Sequence, residues 1–244
     1  MKFIYETHLH TNVASACART NPEDYIAFYL HSGYTGIIVT DHFFNGNTTL
    51  KGNLSWEDKV NGFCLSYERC KAQGDKEGLS VFFGWEHCFG DDEYLIYGLD
   101  KKWLLAHKEV MDWNHHELYT AVHKDGGAMI QAHPYRERDY ITQINLYPHD
   151  VDGVEVANSG NLSENDQRAY AYAQKHHLIM SAGSDSHDIT DNRDLFGVIS
   201  PQKWNSIDDY VRTLREHTQL ALYTTRTHLK ETAEGVISKP VIEY

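Results

Sequence analysis

His8 and His10 stand two residues apart in the stretch "YETHLHTNVASACART". Side chains two apart on an extended chain share a face, so the two imidazoles can approach one cation. Comparable residues recur downstream. Asp41 and His42 follow "GIIVT", Glu86 and His87 follow "VFFGW", and His133 follows "GAMIQA". Asn158 follows "GVEVA", and Asp185 and His187 follow "LIMSAGS". Imidazole and carboxylate are the donors that bind Zn²⁺, Mn²⁺ and Fe²⁺. One histidine behind an apolar run is ordinary loop polarity, but five placements of His, Asp or Glu, with Asn158 at a sixth strand end, point to a metal centre built from distant segments. His31, His107, His115, His116, His123, His176, His177 and His217 fall in helical or loop stretches and are expected to face solvent. His87 is expected in a loop or behind the ligands.

The elements that position these residues alternate. The apolar runs "KFIYET", "TGIIVTD", "LSVFFGWE", "EYLIYGL", "GAMIQAH", "DGVEVAN" and "LIMSAGSD" are strand-length and rich in β-branched or aromatic residues. Helix signals separate many of them. Pro22 is expected at a first helical position, with Gly33 ending that helix. Ser163 with Asp166, and Ser206 with Asp209, read as N-caps. No helix signal separates "LSVFFGWE" from "EYLIYGL". Alternating strand and helix implies a mostly parallel sheet covered on its faces, either a barrel related to the (β/α)8 type or an open doubly wound sheet. In a parallel barrel the C-terminal strand ends share one rim, where the candidate ligands would meet. With no linker or repeat in view, residues 1–244 read as one domain.

The chain carries 22 Lys and Arg against 35 Asp and Glu, a net charge of −13. Phosphate backbones repel such a surface, so no nucleic-acid partner is expected. No apolar run reaches the roughly 20 residues of a membrane span, and "MKFIYETHLH" lacks a signal-peptide pattern. Cys17, Cys64, Cys70 and Cys88 form no Cys-x-x-Cys pair. The expectation is a cytoplasmic protein with reduced thiols; no stripe announces an oligomer.

Taken in order, "THLHT", "VTDH", "GWEH", "AHP" and "GSDSH" resemble the motifs of the polymerase and histidinol phosphatase (PHP) superfamily, from about Phe3 to Gly197. The resemblance implies a distorted, TIM-like (β/α)7 barrel with two to three divalent metal ions (Zn, Mn or Fe) on the C-terminal rim. It implies that His8, His10, Glu86 and Asp185 surround one metal, that Glu86 bridges to a second also bound by His133, and that His42 and His187 hold a third. Two positions depart from the pattern. Ala16 stands where the family often has a His or an acidic residue, leaving the third metal weak, absent, or completed by Cys17 or water. Glu93 stands where the family often has a His, and a carboxylate can replace it.

The implied activity is hydrolysis of a phosphate monoester by a metal-activated hydroxide, on a small phosphorylated substrate. Alternatives are a phosphodiesterase or exonuclease of the same superfamily, or a non-catalytic metal-binding domain. Asp41 would orient a ligand or move a proton, or simply cap a loop. Arg19 and Arg136, with Arg193 behind them, would dock the phosphate. Asn158 and Asn161 would contact substrate or cap a helix. Tyr135, Phe43 and Phe44 are best placed to stack on a ring, whereas Phe82, Phe83 and Tyr97 are expected in the core. The C-terminal "ISKPVIEY" reads as a closing strand.

Overall fold

Short β-branched and aromatic runs form the strands of the computed structural model, which describes residues 2–191, 193–227 and 239–244. The strands are β1 (Phe3–Glu6), β2 (Gly36–Val39), β3 (Ser80–Phe89), β4 (Asp92–Tyr97), β5 (Ala128–Gln131), β6 (Ile144–Leu146), β7 (Gly153–Asn158), β8 (Ile179–Gly183), β9 (Phe196–Ser200), β10 (Ala221–Thr224) and β11 (Val241–Glu243). The helices are α1 (Asp24–His31), α2 (Trp56–Glu77), α3 (Lys101–Ala106), α4 (His115–Lys124), α5 (Ser163–His176) and α6 (Ile207–Arg215). Nine strands form a nearly closed, barrel-shaped sheet in the order β10-β9-β1-β2-β3-β4-β5-β7-β8. A parallel bridge between Leu9 and Ser186 draws the two sides together at the rim.

All seven expected strands are present. β2, with all four residues buried, is the apolar type that a parallel sheet covered on both faces requires. The missing helix has a simple cause: β3 and β4 pair antiparallel as a hairpin, and Gly90 takes φ +64° in its turn. β9 and β10 were not among the expected strands. β9 pairs antiparallel with β1 and β10. The tail strand β11 pairs in parallel with β6 in a separate two-stranded sheet and does not close the barrel. Ile237 and Ser238 of "ISKPVIEY" lie outside the described residues.

Helix starts differ slightly from expectation. α1 begins at Asp24 rather than Pro22, because Asp24 N–H turns back to the Asn21 carbonyl. Leu162, not Ser163, is the N-cap of α5. Ser206 caps α6 with a complete capping box through Asp209. α6 buries Tyr210, Val211 and Leu214 against Phe82, Tyr97, Ile130, Ile179 and Val198 from strands around the sheet. Tyr5 stacks on Trp204 at 3.7 Å in the same cluster. Among the described residues, no helix is long and apolar enough to cross a membrane, and all four cysteines are free thiols.

Candidate metal centre

His8 and His10 extend just past β1, with Leu9 between them buried on the opposite side. Their Nε2 atoms face each other at 3.0 Å. Each ring is held from behind. His8 Nδ1 lies 3.1 Å from Glu155 Oε1, and that carboxylate can only accept, so Nδ1 carries the proton. His10 Nδ1 lies 3.1 Å from Ser15 Oγ. The Ser15 hydroxyl donates to Asp41 Oδ1 at 2.6 Å, so it accepts from His10. Two neutral rings in these tautomers aim bare lone pairs at one another, and only a proton or a cation between them relieves the repulsion.

Glu86 sits inside β3 rather than after its end, because the hairpin with β4 prolongs the strand to Phe89. Its Oε1 lies 3.1 Å from His8 Nε2 and 3.4 Å from His133 Nε2; its Oε2 lies 2.6 Å from His42 Nδ1 and 3.5 Å from His10 Nε2. None of these approaches is aligned as a hydrogen bond. Both Glu86 oxygens, His42 Nδ1 and His133 Nε2 are buried without such a partner. Buried polar atoms in that state need an explanation, and cations between them supply one, so the donor set fits divalent metals. Glu93, at the start of β4, approaches His133 Nε2 at 3.5 Å and His42 Nδ1 at 3.7 Å.

Asp185 follows β8. Its Oδ1 lies 3.1 Å from His10 Nε2 and 3.5 Å from His8 Nε2. Asp185 and His133 both occupy the left-handed backbone region, at φ +50° and +28°, strain of the kind that collects at functional sites. His187 stacks on His10 with ring centroids 4.3 Å apart. Donor atoms within 4.8 Å of one another form four groups: His8/His10/Asp185, His8/Glu86/His133, His10/His42/His187 and His42/Cys88/Glu93. All eight expected ligands are thus brought together. The approach of Cys88 was not expected.

The electrostatics follow from this crowding. Burial pushes the Glu86 carboxyl up, but His42, His8 and His10 outweigh it and hold it well below the usual range. Burial likewise opposes ionisation of Asp185, and the Arg136 guanidinium and His8 override it. His10 is held well below the ordinary imidazole value by burial, then by His42 and His187.

Asp41 lies away from the cleft. Its oxygens accept from Thr11 N–H at 2.6 Å, the Thr11 hydroxyl at 2.9 Å and Ser15. Glu155, absent from the expected set, is fully buried within β7 and also accepts from His133 N–H and the Asn158 amide. Gly183 makes room for it, since a Cβ there would stand 2.5 Å from both Glu155 Oε1 and His8 Cβ. A carboxylate in the apolar run "GVEVA" was the available signal.

Arg136 is largely but not fully buried and is internally engaged. It donates to Asp185 at 2.7 Å, Asn158 at 2.6 Å and Asn161 at 3.0 Å. Arg19 is exposed, and a cleft of about 470 Å³ sets Arg19, Arg136, Arg138 and Arg193 against Asp185, Asp188 and Asp191, with His187 beside them. Arg138 was not anticipated. Phe43 and Tyr135 are core residues, not stacking platforms, and Phe44 packs on Trp56 and Phe63. Two histidines expected in solvent or a loop are buried: His115 stacks on Tyr147, and His87 lies within β3.

No protein-family model and no curated protein match the chain. Solved structures do. A two-domain protein of Bacteroides vulgatus containing a predicted PHP-like metal-dependent phosphoesterase matches with a TM-score of 0.65 at 16% identity, over 91% of this chain and 65% of that one. The chain therefore spans about two thirds of that protein's length. A Bifidobacterium adolescentis protein assigned to the metal-dependent phosphoesterases matches at 0.53 and 17% identity, over 87% and 96%. Endonuclease Q of Pyrococcus furiosus, a lesion-specific enzyme, matches at 0.53 and 10% identity, over 91% and 58%. The chain thus has the fold of the PHP-like phosphoesterases. Endonuclease Q has also been solved with a 27-mer duplex at its active site, which removes the ground for excluding nucleic acid. Net charge sums over the whole surface and does not describe this cleft, where four arginines face three aspartates, Arg136 paired with Asp185 and Arg193 with Asp191.

Proposed function

We propose that the chain is a metal-dependent phosphoesterase acting on phosphate monoesters. The observation that supports this most directly is Glu86, whose two buried oxygens face four imidazoles without aligned hydrogen bonds. In this reading His8, His10, Glu86 and Asp185 hold one divalent cation. Glu86, His133 and Glu93 hold a second, and His42 and His187 contribute to a further position. The donors suit Zn²⁺, Mn²⁺ or Fe²⁺. Bound cations supply Lewis-acid polarisation of a phosphoryl oxygen and activation of water.

The chain's own residues do the rest. Glu155 and Ser15 fix the ring orientations of His8 and His10, and Asp41 acts through Ser15 as a positioning residue. Arg136 holds Asp185 in place, and Arg19, Arg138 and Arg193 offer donors to an anionic substrate. The same arginines also suit the backbone of a diester, which makes phosphodiester hydrolysis the second reading.

Phosphate release from a panel of small monoesters, with Mn²⁺ or Zn²⁺ restored and His8→Ala as the blank, tests the first reading. Release abolished in the variant is the expected result. Cleavage of diesters or single-stranded oligonucleotides with no monoester turnover would replace it with the second.

A further inference from the structure

The third metal position is where this chain departs from the pattern it resembles, because Ala16 offers no donor. The Ala16 N–H bonds to the Asn47 carbonyl, within a tight turn in which Ser15 N–H reaches Thr11 and Ala18 N–H reaches Ser15. The next side chain, Cys17, lines the arginine cleft together with His187, and both His187 and His42 act electrostatically on its thiol. It is the exposed member of the four cysteines; the other three are buried. The surroundings independently point to a ligand. Nitrogens of His10, His42 and His187 converge within 4.8 Å, with His10 and His42 more than nine-tenths buried. His187 Nδ1 is turned to the Asp185 carbonyl at 2.9 Å, which leaves its Nε2 for another partner.

We propose that Cys17, with His42 and His187, forms a thiolate–imidazole position for a further divalent cation, and that this position prefers zinc to manganese. A thiolate is a soft donor that selects Zn²⁺ over Mn²⁺, whereas the carboxylate-rich positions around Glu86 discriminate less. Binding releases the thiol proton to solvent and forms a sulfur–metal bond without any redox change. The proposal rests on reading the cluster as a metal centre, and its test separates the two.

The full chain is stripped with chelator and reloaded with Co²⁺. Its visible absorption reports cobalt bound anywhere in the centre, and the thiolate-to-cobalt charge-transfer band in the near ultraviolet reports sulfur ligation alone. Metal per chain is counted in parallel after loading with zinc or with manganese. The wild type is expected to show both absorptions. Cys17→Ser is expected to lose the charge-transfer band and about one equivalent of zinc, with manganese content unchanged. Cys17→His is expected to regain the zinc without the band. Visible absorption with no charge-transfer band in the wild type overturns the thiolate ligand and leaves the metal centre standing, even if the variants misfold. A band that survives in Cys17→Ser assigns the sulfur to Cys88 instead. Absence of any cobalt spectrum overturns both readings.

Discussion

Glu155 stands directly behind His8, its Oε1 3.1 Å from Nδ1, with both side chains wholly buried. That pairing fixes the tautomer that presents Nε2 to the centre, and a carboxylate behind an imidazole also raises its basicity toward a metal. Glu155→Gln keeps the volume and removes the charge. Metal affinity is expected to fall about 10- to 100-fold, as read by competition with a chromogenic chelator. Unchanged affinity would mean that His8 is not a ligand or needs no support.

Glu86→Gln is expected to cost more than Glu155→Gln, because it removes the group itself rather than its support. Glu86 Oε1 faces His8 and His133 while Oε2 faces His42 and His10. An amide presents one acceptor and turns an N–H toward the other pair of rings. Metal per chain, counted after dialysis, should drop at more than one position. A loss confined to a single position would show that Glu86 does not bridge.

The ligands were legible because the fold converts sequence order into geometry. Parallel strands bring their C-terminal ends to one rim, so His8, His42, His133 and Asp185 could be grouped without knowing a single distance. Glu155 escaped because it lies within a strand, where an apolar run suggests core, and only its partner across the barrel reveals its role. Arg136 and Arg19 looked alike in sequence. Tertiary contacts separate them, since Asn158, Asn161 and Asp185 enclose one and leave the other exposed. The antiparallel β3–β4 hairpin was visible as a missing helix, whereas β9, "FGVIS", carries the same apolar, β-branched signal as the other strands and escaped because no candidate ligand follows it.

That separation predicts different kinetics. Arg19→Ala is expected to raise KM for an anionic substrate with little change in kcat, the pattern of a docking contact. Arg136→Ala removes one partner of a buried ion pair, a change that typically costs about 3–5 kcal/mol. Asp185 keeps His8 and His10 beside it, which places the expected loss at the low end of that range in urea unfolding. Metal content should fall as well, since the freed carboxylate is no longer aimed at His10. Equal effects of the two substitutions on KM alone would refute the distinction.

His87 makes stability depend on pH in a way that can be isolated. It is buried in β3 between Phe43 and Phe89, and its Nε2 accepts from the Asn45 amide at 2.8 Å. Burial, then the neighbouring His115, pulls its pKa down to about 3 from the ordinary 6.5. The folded protein therefore holds this ring neutral where the unfolded chain protonates it. Its contribution is complete above pH 6.5, is lost as pH falls toward 3, and is gone below that. At pH 5 the loss relative to pH 7 is about 2 kcal/mol. His87→Gln keeps an acceptor for Asn45 and cannot titrate. Urea unfolding at pH 7 and pH 5 should therefore show the wild type losing about 2 kcal/mol more than the variant. Contributions from the metal centre are common to both proteins and cancel in the difference, and His115, pulled down to about 4 by burial, stays largely neutral at pH 5. Equal losses in the two proteins would mean that His87 takes up its proton in the folded state.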